Sequence, residues 1–356
     1  VTRDELQPGP RIGLPLVGPG SGSPLTTRHP PLLVDRFGRV HARLRVSVTD
    51  RCNLRCTYCM PEDVTFRDRA DLLTFEELAR VVRVAAGLGV TRVRLTGGEP
   101  LLRRGLPELV RQVVATPGVR HVGLTTNGLL LAAQAEALWA AGLRTLNVSL
   151  DTLDAGRFRR LSRRDGLDRV LAGLEAARRL GFAIKVNAVA LRGFVEQDAG
   201  PHARYCRERG FELRFIEAMP IGADPWDRSA VVPAAEVLRL VGAACGPLIP
   251  ASDADPSAPA AEWVYADGGG RVGVIASVTQ PFCAACDRLR LTADGQLRNC
   301  LFSQDETDVK AVLRAGGPDD AVADRLRECV WGKAAGHGFH ADGWVKPART
   351  MHAIGG

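Results

Sequence analysis

Arg51-Cys52-Asn53-Leu54-Arg55-Cys56-Thr57-Tyr58-Cys59-Met60-Pro61 places three cysteines within eight residues, with three and then two residues between them. The preceding segment, Arg43-Leu44-Arg45-Val46-Ser47-Val48-Thr49, alternates and is rich in β-branched residues, so it reads as a strand. The cysteines therefore lie on a loop leaving the end of a strand. Three thiolates on so short a loop suit three irons of a cubic four-iron cluster and leave the fourth iron open to a small molecule. Frameworks for such clusters normally supply four thiolates, so a count of three is informative. A zinc site and buried thiols are the alternatives. Zinc takes four ligands, commonly as separated pairs, and no further Cys or His follows nearby.

The chain has 356 residues, enough for a main domain and an appendage. No apolar run reaches the roughly 18 residues of a membrane span, and the first residues have no apolar signal segment. The net charge of +7 comes from 47 basic and 40 acidic residues, mostly scattered arginines. A nucleic-acid binder would show a basic stripe with a reader motif, and neither is present. An anionic small substrate such as a nucleoside triphosphate fits the excess better. Six of the nine cysteines fall in two tight groups, a pattern of metal binding in a reducing cytoplasm. Cys206, Cys245 and Cys329 read as packing thiols.

Residues 1–32 are rich in Pro, Gly, Ser and Thr and read as a disordered leader. From Arg43 onward strand-like and helix-like segments alternate. Strands are expected over 43–49, 91–96, 120–126, 144–150, 183–190 and 211–217. Helices are expected over 74–88, 105–115, 130–141, 167–180, 197–209 and 233–243, with cap-like starts at Thr74 and at Thr152-Leu153-Asp154. Six such units imply an α/β fold with a parallel sheet, either doubly wound or a partial barrel. In both, chemistry belongs at the C-terminal ends of the strands. There lie the cysteine loop, Thr96-Gly97-Gly98-Glu99-Pro100, Thr125-Thr126-Asn127-Gly128, Ser149-Leu150-Asp151 and Glu217-Ala218-Met219-Pro220, with Lys185 and Asn187 on the fifth strand. The glycine pair lets backbone approach a ligand closely.

Residues 246–259 read as a linker, followed by a hairpin over 262–266 and 271–276. A second three-cysteine set then appears, Cys283, Cys286 and Cys300. Alone it suits zinc or a cluster equally, zinc needing a fourth ligand such as His337 or His340. Beside a first three-cysteine site, a second open-iron cluster is the better reading. Arg288 and Arg290 alternate on the adjoining strand and face one side, and arginine favours bidentate phosphate recognition. The terminal Gly355-Gly356 is slim enough to enter a cleft.

Cys-x3-Cys-x2-Cys with an aromatic before the last cysteine resembles the radical S-adenosylmethionine (SAM) enzymes. The resemblance favours the barrel: a partial (βα)6 TIM-type barrel over 33–245, with a C-terminal α+β extension over 246–356 carrying the second Fe–S cluster. Two three-cysteine sites, Arg-x-Arg and a terminal Gly-Gly are together similar to the GTP 3′,8-cyclase family (molybdenum cofactor biosynthesis protein A), over about residues 33–356. The resemblance implies two [4Fe-4S] clusters, SAM and GTP. Cys52, Cys56 and Cys59 would hold the SAM cluster, and Cys283, Cys286 and Cys300 the substrate cluster. Tyr58, Gly98, Ser149 and Met219 would line SAM. Arg45, Arg94, Thr125, Lys185, Arg288 and Arg290 would hold GTP. Arg288, Gly355 and Gly356 would complete the catalytic set. It further implies 5′-deoxyadenosyl abstraction of H3′ from GTP and attack of the resulting C3′ radical on C8. The expected partners are an electron donor such as flavodoxin or ferredoxin and a downstream cyclic pyranopterin monophosphate synthase, with a monomer or homodimer in the cytoplasm and no nucleic acid or membrane. A peptide-cross-linking radical SAM enzyme and a non-enzymatic iron–sulfur regulator are the competing readings. The first would show more auxiliary cysteines and give Arg-x-Arg no purpose. The second leaves the Gly-Gly-Glu-Pro loop unexplained.

Overall fold

A computed structural model describes residues 32–222, 226–255, 257–339 and 344–355. The expected leader (save residue 32), His340 and Gly356 lie outside the described residues. The core strands are β1 (Arg43–Ser47), β2 (Arg92–Thr96), β3 (His121–Thr126), β4 (Thr145–Ser149), β5 (Ala183–Ala190) and β6 (Glu212–Glu217). Between them run α1 (Phe75–Gly87), α2 (Leu106–Val114), α3 (Leu131–Ala140), α4 (Ala155–Ser162), α5 (Leu167–Arg179) and α6 (Val195–Arg209). Each core strand pairs in parallel with the next in sequence. The order never reverses, as it would in a doubly wound sheet. The winding is that of a barrel, and among the described residues the two end strands do not pair, which leaves the sheet open.

Burial alternates along these strands, completely so in β5 and β6. Leu44, Val46, Val93, Leu95, Leu146, Val186 and Phe215 join one core with Leu78, Val81, Leu109, Leu138 and Leu174 of the helices. A parallel sheet covered on both faces would carry continuous apolar runs. Here the intervening positions of the alternating strands carry Arg43, Arg45, Arg92, Arg94, Lys185, Asn187 and Arg214, all of which line one interior cavity. The alternation thus marks the concave face as polar and functional.

Helix starts are set locally. Thr74 accepts from the Glu77 backbone N–H at 3.2 Å while the Glu77 carboxylate accepts from the Thr74 N–H at 2.7 Å, a capping box before α1. Asp154 caps α4 by accepting from the Arg157 N–H at 2.7 Å. The Thr152-Leu153-Asp154 start signal therefore opens a helix that the expected set lacked; its polar sequence, AGRFRRLS, has little apolar periodicity.

Beyond α7 (Ala234–Cys245) come β7 (Leu248–Pro250), β8 (Ala261–Tyr265), β9 (Arg271–Ile275), β10 (Arg288–Leu291), β11 (Gln296–Arg298) and β12 (Thr307–Asp308). The helices α8 (Lys310–Arg314), α9 (Asp319–Trp331) and α10 (Met351–Ile354) complete the chain. β9 pairs in parallel with β6, and β10 in parallel with β1, so this segment extends both edges of the core sheet. The 246–259 stretch is not all linker. β7 lies within it, an edge strand against β8, where a proline is tolerated because one side needs no ladder donor.

His202 on α6 is fully buried, and burial lowers its pKa from 6.5 to about 4. Between those values the unfolded chain takes up a proton that the folded chain refuses. This stability is therefore present above pH 6.5 and lost as pH falls through the window, at about 3 kcal/mol for the full shift. His202→Gln is expected to flatten the decline of the urea midpoint on acidification. An unchanged slope would show that other groups set it.

Candidate active site between two three-cysteine sets

The cysteine loop leaves β1 and is braced from below by β2. Gly98 N–H donates to the Thr49 carbonyl at 2.7 Å, and Glu99 N–H to the Arg51 carbonyl at 2.7 Å. A Cβ on Gly98 would sit 2.5 Å from the Arg51 carbonyl oxygen, and one on Gly97 2.6 Å from that of Thr49. The glycine pair is required first by the cysteine loop's own backbone, a cause nearer than the ligand approach read from sequence. Glu99 is fully buried and accepts from Thr126 Oγ1 at 2.7 Å, Asn127 N–H at 2.7 Å and Leu101 N–H at 2.9 Å. It locks the ends of β2 and β3 together.

Burial raises the thiols of Cys52 and Cys59 to about 11 and about 12. Such thiols ionise when a metal centre supplies positive charge. N–H donors already point at the sulfurs. Leu54 N lies 3.5 Å and Asn127 Nδ2 3.8 Å from Cys52 Sγ, and the His352 backbone N–H faces Cys59. This is the donor environment that ligand sulfurs of an iron–sulfur cluster use. Beside the loop, Tyr58 Oη donates to Asp151 Oδ2 at 2.6 Å, and Asp151 Oδ1 accepts from the Val189 N–H at 2.8 Å. Tyr58, Gly98, Ser149 and Met219 all reach the same cavity, as do Asn127, Asp151 and Asn187. Asn187 Oδ1 and Thr125 Oγ1 are buried there without a hydrogen-bond partner.

The second set lies across this cavity of about 550 Å³, which all six cysteines line. Burial opposes ionisation of Cys286, but Arg288 and Lys333 beside it draw its pKa down to about 6. Zinc lacks a fourth ligand among the described residues. Both ring nitrogens of His337 are engaged, Nε2 with the Ser277 carbonyl at 3.1 Å and Nδ1 with the Phe339 N–H at 3.1 Å. Among the described residues no three His, Cys, Asp or Glu side chains close on a single-ion position, whereas thiolates at the corners of a cubic cluster stand apart. Three cysteines with cationic N–H donors fit a cluster here as well.

Between the two sets, sheet register stacks arginines in rows. Arg45 pairs in register with Arg290 on one side and Arg94 on the other, and Arg43 with Arg288 and Arg92. Arg43 is neutralised by Asp255 and Asp287. Arg45 has no carboxylate and no hydrogen-bond acceptor among the described residues. Burial, then the charges of Arg290, Arg288 and Arg94, push its pKa well below the usual arginine range. Burial likewise lowers Arg290 to about 9 and Arg94 to about 10. Arginine keeps its charge in proteins, so these depressions express desolvation and mutual repulsion that the Cys286 and Cys300 sulfurs offset only in part and that an anion would relieve. Arg94 donates to Asn147 Oδ1 at 3.0 Å, and the Arg288 guanidinium lies 4.5 Å over the Phe282 ring. Lys185 reaches the cavity but is ion-paired with Glu212. Arg92, Arg214 and Asn147 line the cavity too and were not singled out from sequence. The period-2 placement of polar residues, Arg43 and Arg45 on β1, Arg92 and Arg94 on β2, Thr145 and Asn147 on β4 and Glu212 and Arg214 on β6, is the signal that could have found them.

The tail enters the cleft. Gly355 has φ +79°, and a Cβ there would lie 2.8 Å from Ser47 Cβ and 3.2 Å from Thr96 Cγ2. Its carbonyl accepts from Arg290 Nη1 at 3.0 Å, and Ile354 is buried with Phe302 and Ile221. Gly355→Ala is expected to undock the tail at a cost of about 1–3 kcal/mol, from left-handed strain and the clash. Faster carboxypeptidase trimming than in the wild-type chain would show it; equal trimming would mean that the cleft accommodates the methyl.

Two family profiles match the chain, the Radical SAM superfamily over residues 46–206 and Molybdenum Cofactor Synthesis C over residues 211–339. A GTP 3′,8-cyclase of Rhodopirellula baltica is 47% identical over 346 residues, covering 94% of this chain and 95% of that protein. One of Streptomyces coelicolor is 48% identical over 329 residues, covering 91% and 96%. Among solved structures, Streptococcus suis SuiB bound to S-adenosylmethionine aligns with TM-score 0.55 at 16% identity, over 82% of this chain and 69% of that one. Native anSMEcpe with bound AdoMet aligns with TM-score 0.55 at 15% identity, over 83% and 82%. At these identities the solved structures speak to the fold alone, and they share the radical SAM architecture.

Proposed function

This chain belongs to the GTP 3′,8-cyclase family of the radical SAM superfamily, and from that premise we propose how its residues divide the reaction. The enzyme, a lyase, cyclises GTP to (8S)-3′,8-cyclo-7,8-dihydroguanosine 5′-triphosphate, the first step of molybdenum cofactor biosynthesis. The reaction starts when the 5′-deoxyadenosyl radical takes the C3′ hydrogen of GTP. It uses an iron–sulfur cluster and SAM.

Cys52, Cys56 and Cys59 hold the cluster that, when bound, supplies the electron for SAM cleavage. Tyr58, Gly98, Ser149 and Met219 line SAM, Tyr58 being oriented by Asp151. Cys283, Cys286 and Cys300 hold a second [4Fe-4S] cluster. Arg45, Arg94, Arg288 and Arg290, with Thr125 and Lys185, receive GTP. In the tail, the Gly355 carbonyl keeps Arg290 in place, and the terminal Gly355 and Gly356 belong to the catalytic set. The observation that carries this reading is Arg45, partly buried among three other arginines with no carboxylate partner and only the Cys286 sulfur opposing their charge, in one cavity with both cysteine sets. A triphosphate supplies the missing negative charge. A donor such as flavodoxin or ferredoxin delivers the electron in the cytoplasm, and a cyclic pyranopterin monophosphate synthase takes the product. Among the described residues no helix is long and apolar enough to cross a membrane.

Replacing Cys283, Cys286 and Cys300 together by serine tests the second cluster. Anaerobically reconstituted protein is expected to lose about half of its iron and sulfide, because cluster iron depends on its thiolates. Deoxyadenosine formation without GTP should persist. Unchanged iron content would overturn the assignment.

A further inference from the structure

Lys333 follows α9 in the turn that covers the second cysteine set from outside. It is 3% exposed. Its Nζ donates to the Arg288 carbonyl at 3.0 Å and lies 3.4 Å from Cys286 Sγ. Among the described residues no carboxylate pairs with it. A buried ammonium is costly unless a negative charge balances it, and a carbonyl does not balance it. The negative charge at hand is sulfur, that of Cys286 first and Cys300 second. A smaller cavity of about 110 Å³ lies on this outer side, lined by Lys333, Arg39 and the same three cysteines. Lys333 does not line the large cavity where the substrate arginines gather.

Arg288 also reaches Cys286 Sγ, at 3.4 Å. Its guanidinium faces the large cavity and lies over Phe282, so its charge is shared with whatever binds there. Lys333 approaches from the opposite side and has no such second use. Arg39 holds the surrounding loop. It donates to the Cys283 carbonyl at 2.7 Å, to Ala334 at 2.7 Å and to Ala335 at 3.0 Å, which fixes the turn that carries Lys333.

We propose that Lys333 is a positioning residue of the second site: its ammonium is the built-in counter-charge of the ligand sulfur Cys286, retaining that sulfur on the cluster and easing the cluster's one-electron reduction. The proposal rests on the reading of Cys283, Cys286 and Cys300 as cluster ligands. Hydrogen bonds to ligand sulfurs and nearby positive charge both favour the reduced cluster, which carries one more negative charge. Loss of the ammonium should therefore lower the midpoint potential and loosen the cluster.

The test uses the full-length chain, reconstituted anaerobically, with Lys333→Met and Lys333→Arg. Iron and sulfide counting of the wild type decides the underlying reading: enough for two clusters sustains it, and enough for one overturns both it and the proposal. With two clusters present, redox titration followed by electron paramagnetic resonance reads the potentials. In Lys333→Met the second cluster is expected to titrate at a more negative potential. It should also lose iron to a chelator about tenfold faster, the scale on which outer partners affect metal retention, while the first cluster keeps the wild-type rate. Lys333→Arg should restore both quantities toward wild type. Equal potentials in wild type and Lys333→Met would overturn the proposal. If Lys333→Met fails to load the second cluster, loading of Lys333→Arg supports the counter-charge, and equal failure of Lys333→Arg overturns it.

Discussion

Cys56→Ala is expected to reduce 5′-deoxyadenosine formation to background. The first set has three sulfurs, and the loop offers no substitute. Met60 Sδ is turned toward Arg55 Nη1 at 3.8 Å, and the remaining cysteines belong to the second set or to packing positions. Cys56 is the middle cysteine of the set, on a loop held from both sides. Arg55 N–H donates to the Ser162 carbonyl at 2.9 Å and Thr57 N–H to the Leu161 carbonyl at 3.0 Å, which ties the loop to the end of α4. A backbone so fixed will not move a distant donor into the vacated place. The second cluster should survive, so the variant should keep about half of the wild-type iron, as ligand loss at one site predicts. Deoxyadenosine formation within tenfold of wild type would overturn the assignment of the first site.

Arg45→Ala should weaken GTP binding by about 10- to 150-fold, the equivalent of about 1.5–3 kcal/mol for lost hydrogen bonds to a charged group. Its effect on stability should run the other way. Arg45 is partly buried beside Arg94, Arg288 and Arg290 with no carboxylate partner, and the Cys286 sulfur offsets only part of their repulsion, so its removal relieves repulsion in the empty protein. Higher thermal stability without GTP together with lower GTP affinity is the signature of a residue kept for binding at a cost in stability. Deoxyadenosine formation without GTP should remain. Arg290→Ala should also weaken GTP binding, but it removes the donor to the Gly355 carbonyl and so undocks the tail as well. Unchanged affinity in Arg45→Ala would remove the phosphate role from the centre of the cluster.

Much of this site was legible because its chemistry sits where local sequence patterns end. The six core strands and their helices announce themselves by alternation and by the Thr74 cap. The cysteine sets and Arg288-x-Arg290 are local spacings, and their positions at strand ends place them on one rim. What stayed hidden depends on partners far along the chain. Gly97 and Gly98 could be seen to admit something close, but not that it was the Thr49–Arg51 backbone. Gly355 could be read as slim, but not as the acceptor of a hydrogen bond from Arg290, 65 residues earlier. Lys333 carries no motif. Its meaning comes from a sulfur 47 residues away, across α8 and α9. β7 was missed because three residues ending in proline give no period to read.

The most direct test of the account is anaerobic turnover of the reduced, reconstituted enzyme with SAM and GTP carrying deuterium at C3′, with mass spectrometry of both products. One cavity holding both cysteine sets and the arginine cluster requires the deuterium to appear in 5′-deoxyadenosine and the nucleotide to emerge cyclised at C8. Unlabelled 5′-deoxyadenosine with intact GTP would contradict it, leaving SAM cleavage in a site that does not hold GTP against it.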